Sequence, residues 1–293
     1  MDELRIGMIG LDTSHCTAFT ELLNNNRNRH HVKGGKVVYA YAGGSQFFSK
    51  SHSRVAGFTN KLQKTYGVEI FSSIEQVAEK SDAILLESCD GRQHLEQFQI
   101  LAPYGKPVFI DKPFTCSAND AKIIVELSQK HNSPIYSASS LRYYKGIKEY
   151  RHNAAVKSAH FHGPVELLSD FPGYFWYGVH LAEIGFEIFG QGCQLENIQV
   201  SHTENLDTVM CPWSNGRALV LYGYRNYKEH NWGGMLYTHE KKIETTAVDR
   251  PPGYAVLLDK ILQFFKNRQS PIDSAEMIEV VALLAEINKK MGI

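Results

Sequence analysis

An excess of charge of either sign is missing from this sequence: 31 lysines and arginines balance 31 aspartates and glutamates over 293 residues. Balance of that kind leaves no electrostatic footprint for nucleic acid or an anionic membrane, so neither is expected as a partner, and a small molecule is the better default. Cysteine is scarce and scattered. Cys16, Cys89, Cys116, Cys193 and Cys211 form no CxxC pair and no zinc-like spacing, which suits a reducing compartment where they are ordinary thiols. No basic segment followed by an apolar stretch opens the chain, and no run approaches the length that spans a bilayer. Internal repeats and low-complexity tracts are also lacking. The absences together predict a soluble, cytoplasmic protein with a sizeable core, since a chain of this length buries about three quarters of its unfolded surface. His152, His160 and His162 invite a metal reading, but no carboxylate or cysteine pattern accompanies them, so no metal is expected.

What is present is a regular alternation of strand and helix signals. Ile6–Gly10 is a short apolar strand ending in glycine, and helical spacing follows at Cys16, Phe19, Leu22 and Leu23. Strands are then predicted at 36–42, 82–87, 108–112 and 135–138, with helices at 55–66, 74–79, 94–104 and 118–131 between them. Strands separated by helices of this length require parallel pairing through right-handed crossovers. Residues 1–140 are therefore expected to form a doubly wound parallel sheet of the dinucleotide-binding kind. Beyond residue 140 the signal changes to alternation at 159–168, 196–203, 217–224, 234–239 and 242–247, with helices at 143–155, 178–189, 254–267 and 274–291. Residues 141–293 are expected to form an α+β substrate domain with a mainly antiparallel open sheet, and the whole chain is α/β in class.

One tripeptide stands out against this scaffold. Asp111-Lys112-Pro113 ends the apolar run Val108-Phe109-Ile110. Pro113 disfavours helix at the residue before it, so Lys112 is held extended and projects from the carboxyl end of a strand, where open α/β sheets bind ligands. It is a candidate catalytic amine.

These residues resemble the Gfo/Idh/MocA oxidoreductases over essentially the whole chain. Arg5-Ile6-Gly7-Met8-Ile9-Gly10 resembles the family's first strand, Asp111-Lys112-Pro113 its Glu-Lys-Pro motif with Asp for Glu, and Gly178-Val179-His180 the start of a helix in its substrate domain. His94 and Arg142 are weaker matches. The resemblance implies a Rossmann-type domain holding NAD or NADP, and a hydride exchanged with a sugar, cyclitol or related polyhydroxy substrate. In that chemistry Lys112 would stabilise negative charge on the reacting oxygen and His180 would take the hydroxyl proton. The Lys112–Pro113 peptide would be cis, and a homo-oligomer, dimer or tetramer, is implied.

Departures from the family pattern are equally specific. The glycine fingerprint G-x-G-x-x-G reads Gly10-Leu11-Asp12-Thr13-Ser14-His15, so Asp12 and His15 stand where the second and third glycines belong. Thr13 and Ser14 could cap the helix and meet a phosphate, His15 could add positive charge, and Asp12 would either oppose a diphosphate or simply cap the helix. After the second strand the acidic residue that binds ribose hydroxyls is replaced by Ala42-Gly43-Gly44-Ser45, with Lys50 and Arg54 nearby, a composition that leans to NADP. The cofactor contacts expected are Gly10, Asp12, Thr13, Ser14, His15, Gly43, Ser45, His94, Asp111 and Lys112. The segment Phe171–Tyr177 is unusually aromatic, with Trp176 where relatives carry an aspartate, and Asp170 and Glu183 are candidate partners for His180. Arg142, Tyr144, Trp176, Tyr177 and His180 are the expected substrate contacts. The alternative to a dehydrogenase is a retired member of the fold that binds a sugar or nucleotide as a sensor or scaffold.

Overall fold

The computed structural model describes residues 3–226 and 231–293. The chain divides into two compact units: Met1–Thr115, Asn119–Ala138 and Tyr254–Ser274 form the first, and Cys116–Ala118, Ser139–Gly253 and Ala275–Ile293 the second.

In the first unit the strands β1 (Leu4–Ile9), β2 (Gly35–Tyr41), β3 (Glu69–Phe71), β4 (Ala83–Leu86), β5 (Val108–Ile110) and β6 (Ile135–Tyr136) pair in parallel in the order β3-β2-β1-β4-β5-β6. The helices α1 (Ser14–Asn24), α2 (Ser49–His52), α3 (Val55–Tyr66), α4 (Ile74–Lys80), α5 (His94–Leu101) and α6 (Ala118–Lys130) connect them. All residues of β4 and β5 are buried, as expected of central parallel strands covered on both faces, and this is why they read as unbroken apolar runs. Strand order reverses between β1 and β4. Ligands of open α/β sheets bind at the carboxyl ends of strands around such a reversal.

The second unit is built on β7 (Ser158–Pro164), β8 (Gln199–His202), β9 (Leu206–Pro212), β10 (Ala218–Tyr224), β11 (Gly233–Tyr237) and β12 (Lys242–Thr246), ordered β12-β11-β7-β10-β9-β8. The β7/β10 ladder is parallel and the others are antiparallel. Helix α7 (Gly178–Phe189) packs on one face, close enough that a side chain at Gly185 would collide with Leu219.

Two helices close the chain, α8 (Gly253–Asn267) and α9 (Ser274–Met291). From Tyr254 onward α8 belongs to the first unit. It buries Leu257, Leu258, Ile261, Leu262, Phe264 and Phe265, sets Phe264 against Tyr136 at 5.7 Å, and brings Tyr254 edge-on to Phe19. The units are thus not separated by one cut near residue 140. Among the described residues no helix is long and apolar enough to cross a membrane.

Two local expectations need correction. The helix predicted over 143–155 is replaced by short 3-10 turns at Ser140–Tyr143 and Lys148–Tyr150, because Gly146 adopts φ +92° and Lys145 bridges to Val248. Strand β9 was not predicted. Its inward positions are Asp207, Val209 and Cys211, and a buried aspartate breaks the alternation; Arg225 and His202 pair with it at 2.6 Å each.

Candidate functional site

The ladders of the first sheet bring the chemistry together. Ile9 pairs with Leu86 and Leu86 with Ile110, so the next residues, Gly10, Glu87 and Asp111, stand in a row at the carboxyl edge. The row is held by Glu87 N–H donating to the Ile9 carbonyl at 2.7 Å and Asp111 N–H to the Leu86 carbonyl at 2.8 Å. Gly10 begins it with φ +86°, where a Cβ would lie 2.6 Å from Ser88 Cα, so only glycine makes this turn without displacing the neighbouring strand end. Lys112 follows Asp111. It is 8% exposed, and its peptide bond to Pro113 is cis.

The altered glycine loop is explained by what its side chains touch. Asp12 is fully buried and accepts hydrogen bonds from Cys89 N–H at 2.9 Å and Ser51 Oγ at 2.6 Å. Its carboxylate is therefore folded inward, tying the loop to the β4 end and to α2, and it neither caps α1 nor faces the helix mouth. Thr13 is the cap, accepting from His15 N–H at 3.4 Å, and Ser14 is exposed in the first turn. His15 points into the protein. Its Nδ1 is 2.8 Å from Asp111 Oδ2 and 3.9 Å from Glu87 Oε2, and its ring stacks on Phe19 and meets Tyr254 edge-on at 4.9 Å. A ring so placed is a partner of Asp111 and a packing group, directed away from the phosphate that the sequence reading offered it.

Glu87 is the residue that sequence reading missed. It looked like the last position of an apolar strand, yet it is a fully buried carboxyl whose two oxygens have no hydrogen-bond partner. Burial pushes its pKa well up; Asp111 and Asp12 add to the rise and Lys112 opposes it. Burial also works against the charged form of Asp111, but His15 and Lys112 outweigh it and hold that carboxyl below its ordinary range.

Beside this row, Gly43 (φ +62°) approaches the backbone of Gly10, with a would-be Cβ 3.3 Å from Gly10 Cα. Gly44, Ser45, Gln46, Phe47, Asp90, Arg92, Gln93 and Glu96 line a cavity of about 480 Å³. Ser45 is buried and donates to Asp90 Oδ2 at 2.6 Å, so its hydroxyl is not the free phosphate donor expected. Arg92 grips the same carboxylate with two hydrogen bonds of 2.8 and 2.9 Å. Arg54 reaches Cys89 Sγ at 3.5 Å. His94 is buried with its ring nitrogens 2.9 Å from the Phe114 carbonyl and 2.7 Å from that of Ser88. It ties the loops after β4 and β5 together and is a framework residue where a cofactor contact was expected.

In the second unit, His180 lies in the first turn of α7, half-buried, with Nδ1 2.7 Å from Ser139 Oγ. Its ring meets Tyr177 at 5.6 Å and Trp232 at 5.3 Å, both edge-on. Neither Ser139 nor Trp232 was anticipated, since both are remote in sequence. Glu183 is engaged elsewhere. Arg142, 1% exposed, bonds Glu183 through Nε, Glu276 through Nη1 at 2.7 Å and Glu187 through Nη1 at 3.4 Å. The expectation that Arg142 meets substrate is corrected: three buried carboxylates hold its guanidinium inside the unit. Trp176 is likewise buried, its Nε1 donating to Glu166 at 3.2 Å, and Phe171, Tyr174 and Phe175 join it in the core. Tyr144 is half-buried against Gly253, its hydroxyl pKa pushed up to about 12 by burial and Asp249. Tyr177, also half-buried, lines a cavity of about 450 Å³ with Pro164, Glu166, Tyr224 and Arg225 among others.

A six-stranded parallel sheet with this strand order and a glycine turn after β1 defines a domain of the Rossmann type. Residues 4–138 match the model of the Gfo/Idh/MocA family, described as an oxidoreductase family with an NAD-binding Rossmann fold. Solved structures agree in fold over both units. A myo-inositol 2-dehydrogenase from Lactobacillus plantarum is similar with a TM-score of 0.78 at 14% identity, covering 99% of this chain and 98% of that one. A UDP-N-acetylglucosamine 3-dehydrogenase from Acidithiobacillus ferrooxidans gives 0.76 at 13%, covering 99% and 98%. A scyllo-inositol dehydrogenase from Lactobacillus casei gives 0.74 at 12%, covering 99% and 96%. No curated protein sequence matches the chain.

Proposed function

We propose that the protein is a nicotinamide-dependent oxidoreductase acting at a hydroxyl-bearing carbon of a sugar, cyclitol or related polyhydroxy compound. The observation that carries the reading is Lys112, a nearly buried amine in the strand-end row that begins at the Gly10 turn, within a domain of an oxidoreductase family. The loop suits a dinucleotide. Gly10 keeps the turn tight, Asp12 is folded away, and the first turn of α1 is accessible at Ser14, an arrangement that accommodates a diphosphate at a helix N-terminus. A bound nicotinamide would supply the hydride acceptor or donor. Lys112 then polarises the substrate oxygen and stabilises its developing charge, and His180 accepts the hydroxyl proton while Ser139 orients its ring through Nδ1.

The ends of the substrate and cofactor can be taken further. The dehydrogenases with similar folds act, by name, on inositols and a UDP-sugar, which supports a polyhydroxy ring as substrate. The cavity beside Tyr177 is lined by the rings of Tyr177 and Tyr224, which suit the C–H faces of such a ring. For the cofactor, Ser45 is committed to Asp90, Arg92 is neutralised by the same group, and Glu96 lines the cavity, so no net positive charge welcomes a 2′-phosphate. This favours NAD over the NADP lean of the sequence. A homo-oligomer is favoured by the half-exposed sheet face bearing His160, His162, Tyr222, Tyr224 and Tyr237, and light scattering tests it.

A screen of polyols and aldoses for NAD reduction, with Lys112→Ala as control, tests the reading. Turnover lost in the variant supports it; no turnover on any polyol with NAD tightly bound favours the sensor or scaffold alternative, which the imperfect glycine loop also suggests.

A further inference from the structure

We propose that His15, Glu87 and Asp111 form a binding site for one divalent first-row cation of the Zn²⁺ type. The proposal is independent of the dehydrogenase reading and concerns binding alone. One imidazole nitrogen and one oxygen from each carboxylate lie within 4.8 Å of one another, and all three residues are buried. Their convergence is fixed by the fold. Glu87 and Asp111 are adjacent in the strand-end row because β4 and β5 run in register, and His15 reaches both from the first turn of α1.

The second, independent observation is the condition of Glu87. Both its carboxylate oxygens are buried without a hydrogen-bond partner, and so is Oδ1 of Asp111. Buried carboxylate oxygens are ordinarily satisfied, and an orphaned pair points to an ion or water as the missing partner. Spacing agrees with this. Ligand atoms about 2.1 Å from a zinc-like ion stand about 3.0 to 3.4 Å apart. The two separations from His15 Nδ1, 2.8 Å to Asp111 and 3.9 Å to Glu87, bracket that range, so modest side-chain rotation suffices.

Charge and donor type identify the class of ion. Three carboxyl groups, those of Asp12, Glu87 and Asp111, gather here against the single amine of Lys112. The carboxylate of Asp12 is tied to Cys89 and Ser51, so it contributes field and no ligand atom. A mixed nitrogen and oxygen set suits Zn²⁺ better than Mn²⁺, and Mn²⁺ better than Mg²⁺, which prefers oxygen alone.

The test is direct binding to the full chain. Protein freed of metal by chelation is titrated with Zn²⁺, Mn²⁺ and Mg²⁺ by calorimetry, and bound metal is counted after dialysis. Expected are one equivalent of Zn²⁺ per chain, the order Zn²⁺, Mn²⁺, Mg²⁺, and affinity lowered at least about tenfold in Glu87→Gln and Asp111→Asn. His202→Asn, which alters another histidine–carboxylate pair, leaves binding unchanged. Should the buried variants fail to fold, nitrogen NMR of the wild-type imidazoles replaces them, with the His15 Nδ1 resonance moving on Zn²⁺ addition. No saturable Zn²⁺ binding at millimolar metal, unaltered binding in folded Glu87→Gln and Asp111→Asn, a stationary His15 Nδ1 resonance, or preference for Mg²⁺ overturns the proposal.

Discussion

Among single residues, Lys112 and His180 carry the proposed chemistry. Lys112→Ala is expected to lower kcat by about a hundred- to ten-thousandfold, the usual contribution of a positioned acid or base, with far-ultraviolet circular dichroism unchanged. Ser139 acts through its neighbour. Removing its hydroxyl in Ser139→Ala breaks its hydrogen bond with His180 Nδ1, and a fall in kcat of about tenfold with an altered pH–rate profile is expected, with a loss of about 0.5–2 kcal/mol because the hydroxyl also caps the 3-10 turn at Leu141 N–H. The position of Lys112 just past a strand end was legible in the sequence because Pro113 follows it and the apolar run 108–110 precedes it. Glu87, Ser139 and Trp232 were not, since each gains its meaning from a partner distant in sequence. Arg142 and Trp176 were misread for a related reason: local sequence offers polar groups, and only tertiary packing reveals that Glu183, Glu276 and Glu166 already engage them.

At the scale of elements, five strands of the parallel sheet were readable because most are apolar runs between helices with good caps and breaks, such as Ser73 before α4 and Gly67 (φ +68°) after α3, whereas the short edge strand β3, which opens on Glu69, was not. The second sheet was harder, because buried Asp207 hides β9 and the turn at Gly146 stops what looks helical. Two substitutions test how these elements are joined. Gly10→Ala would force a Cβ into Ser88 at a positive φ, and a loss of about 1–3 kcal/mol together with weakened dinucleotide binding is expected from chemical denaturation and titration. Arg142 joins the 3-10 turn at 140–143 to α7 and α9 through three glutamates. Arg142→Met leaves those carboxylates buried and unpaired, and should cost about 3–5 kcal/mol. A direct substrate contact would instead show as a raised KM with stability intact.

For the molecule as a whole, buried carboxyls contribute to the dependence of stability on pH. Burial raises the pKa of Glu183 and Glu187 above the ordinary 4.5, although Arg142 pulls both down. Between 4.5 and the raised values the native state holds more protons than the unfolded state. Stability from these groups is therefore complete below about pH 4.5 and is lost as pH rises through their folded values. Asp82 behaves oppositely: its hydrogen bond with Arg5 lowers its pKa below 3.8, so its contribution disappears as pH falls through that lower value. The thermal midpoint of the wild type should therefore fall relative to that of Glu187→Gln as pH rises above about 4.5; a difference that does not change with pH would remove Glu187 from the explanation.

The central claim is that a domain with an altered glycine loop still holds a dinucleotide. Its most direct test is a titration of the purified protein with NAD, NADH, NADP and NADPH, following tryptophan fluorescence and the thermal midpoint at fixed protein concentration. Saturable binding is predicted, tighter for NAD and NADH, with a stabilisation of about 2.7 kcal/mol when ligand reaches a hundred times its Kd. Failure of all four to bind at millimolar concentration would contradict the oxidoreductase reading.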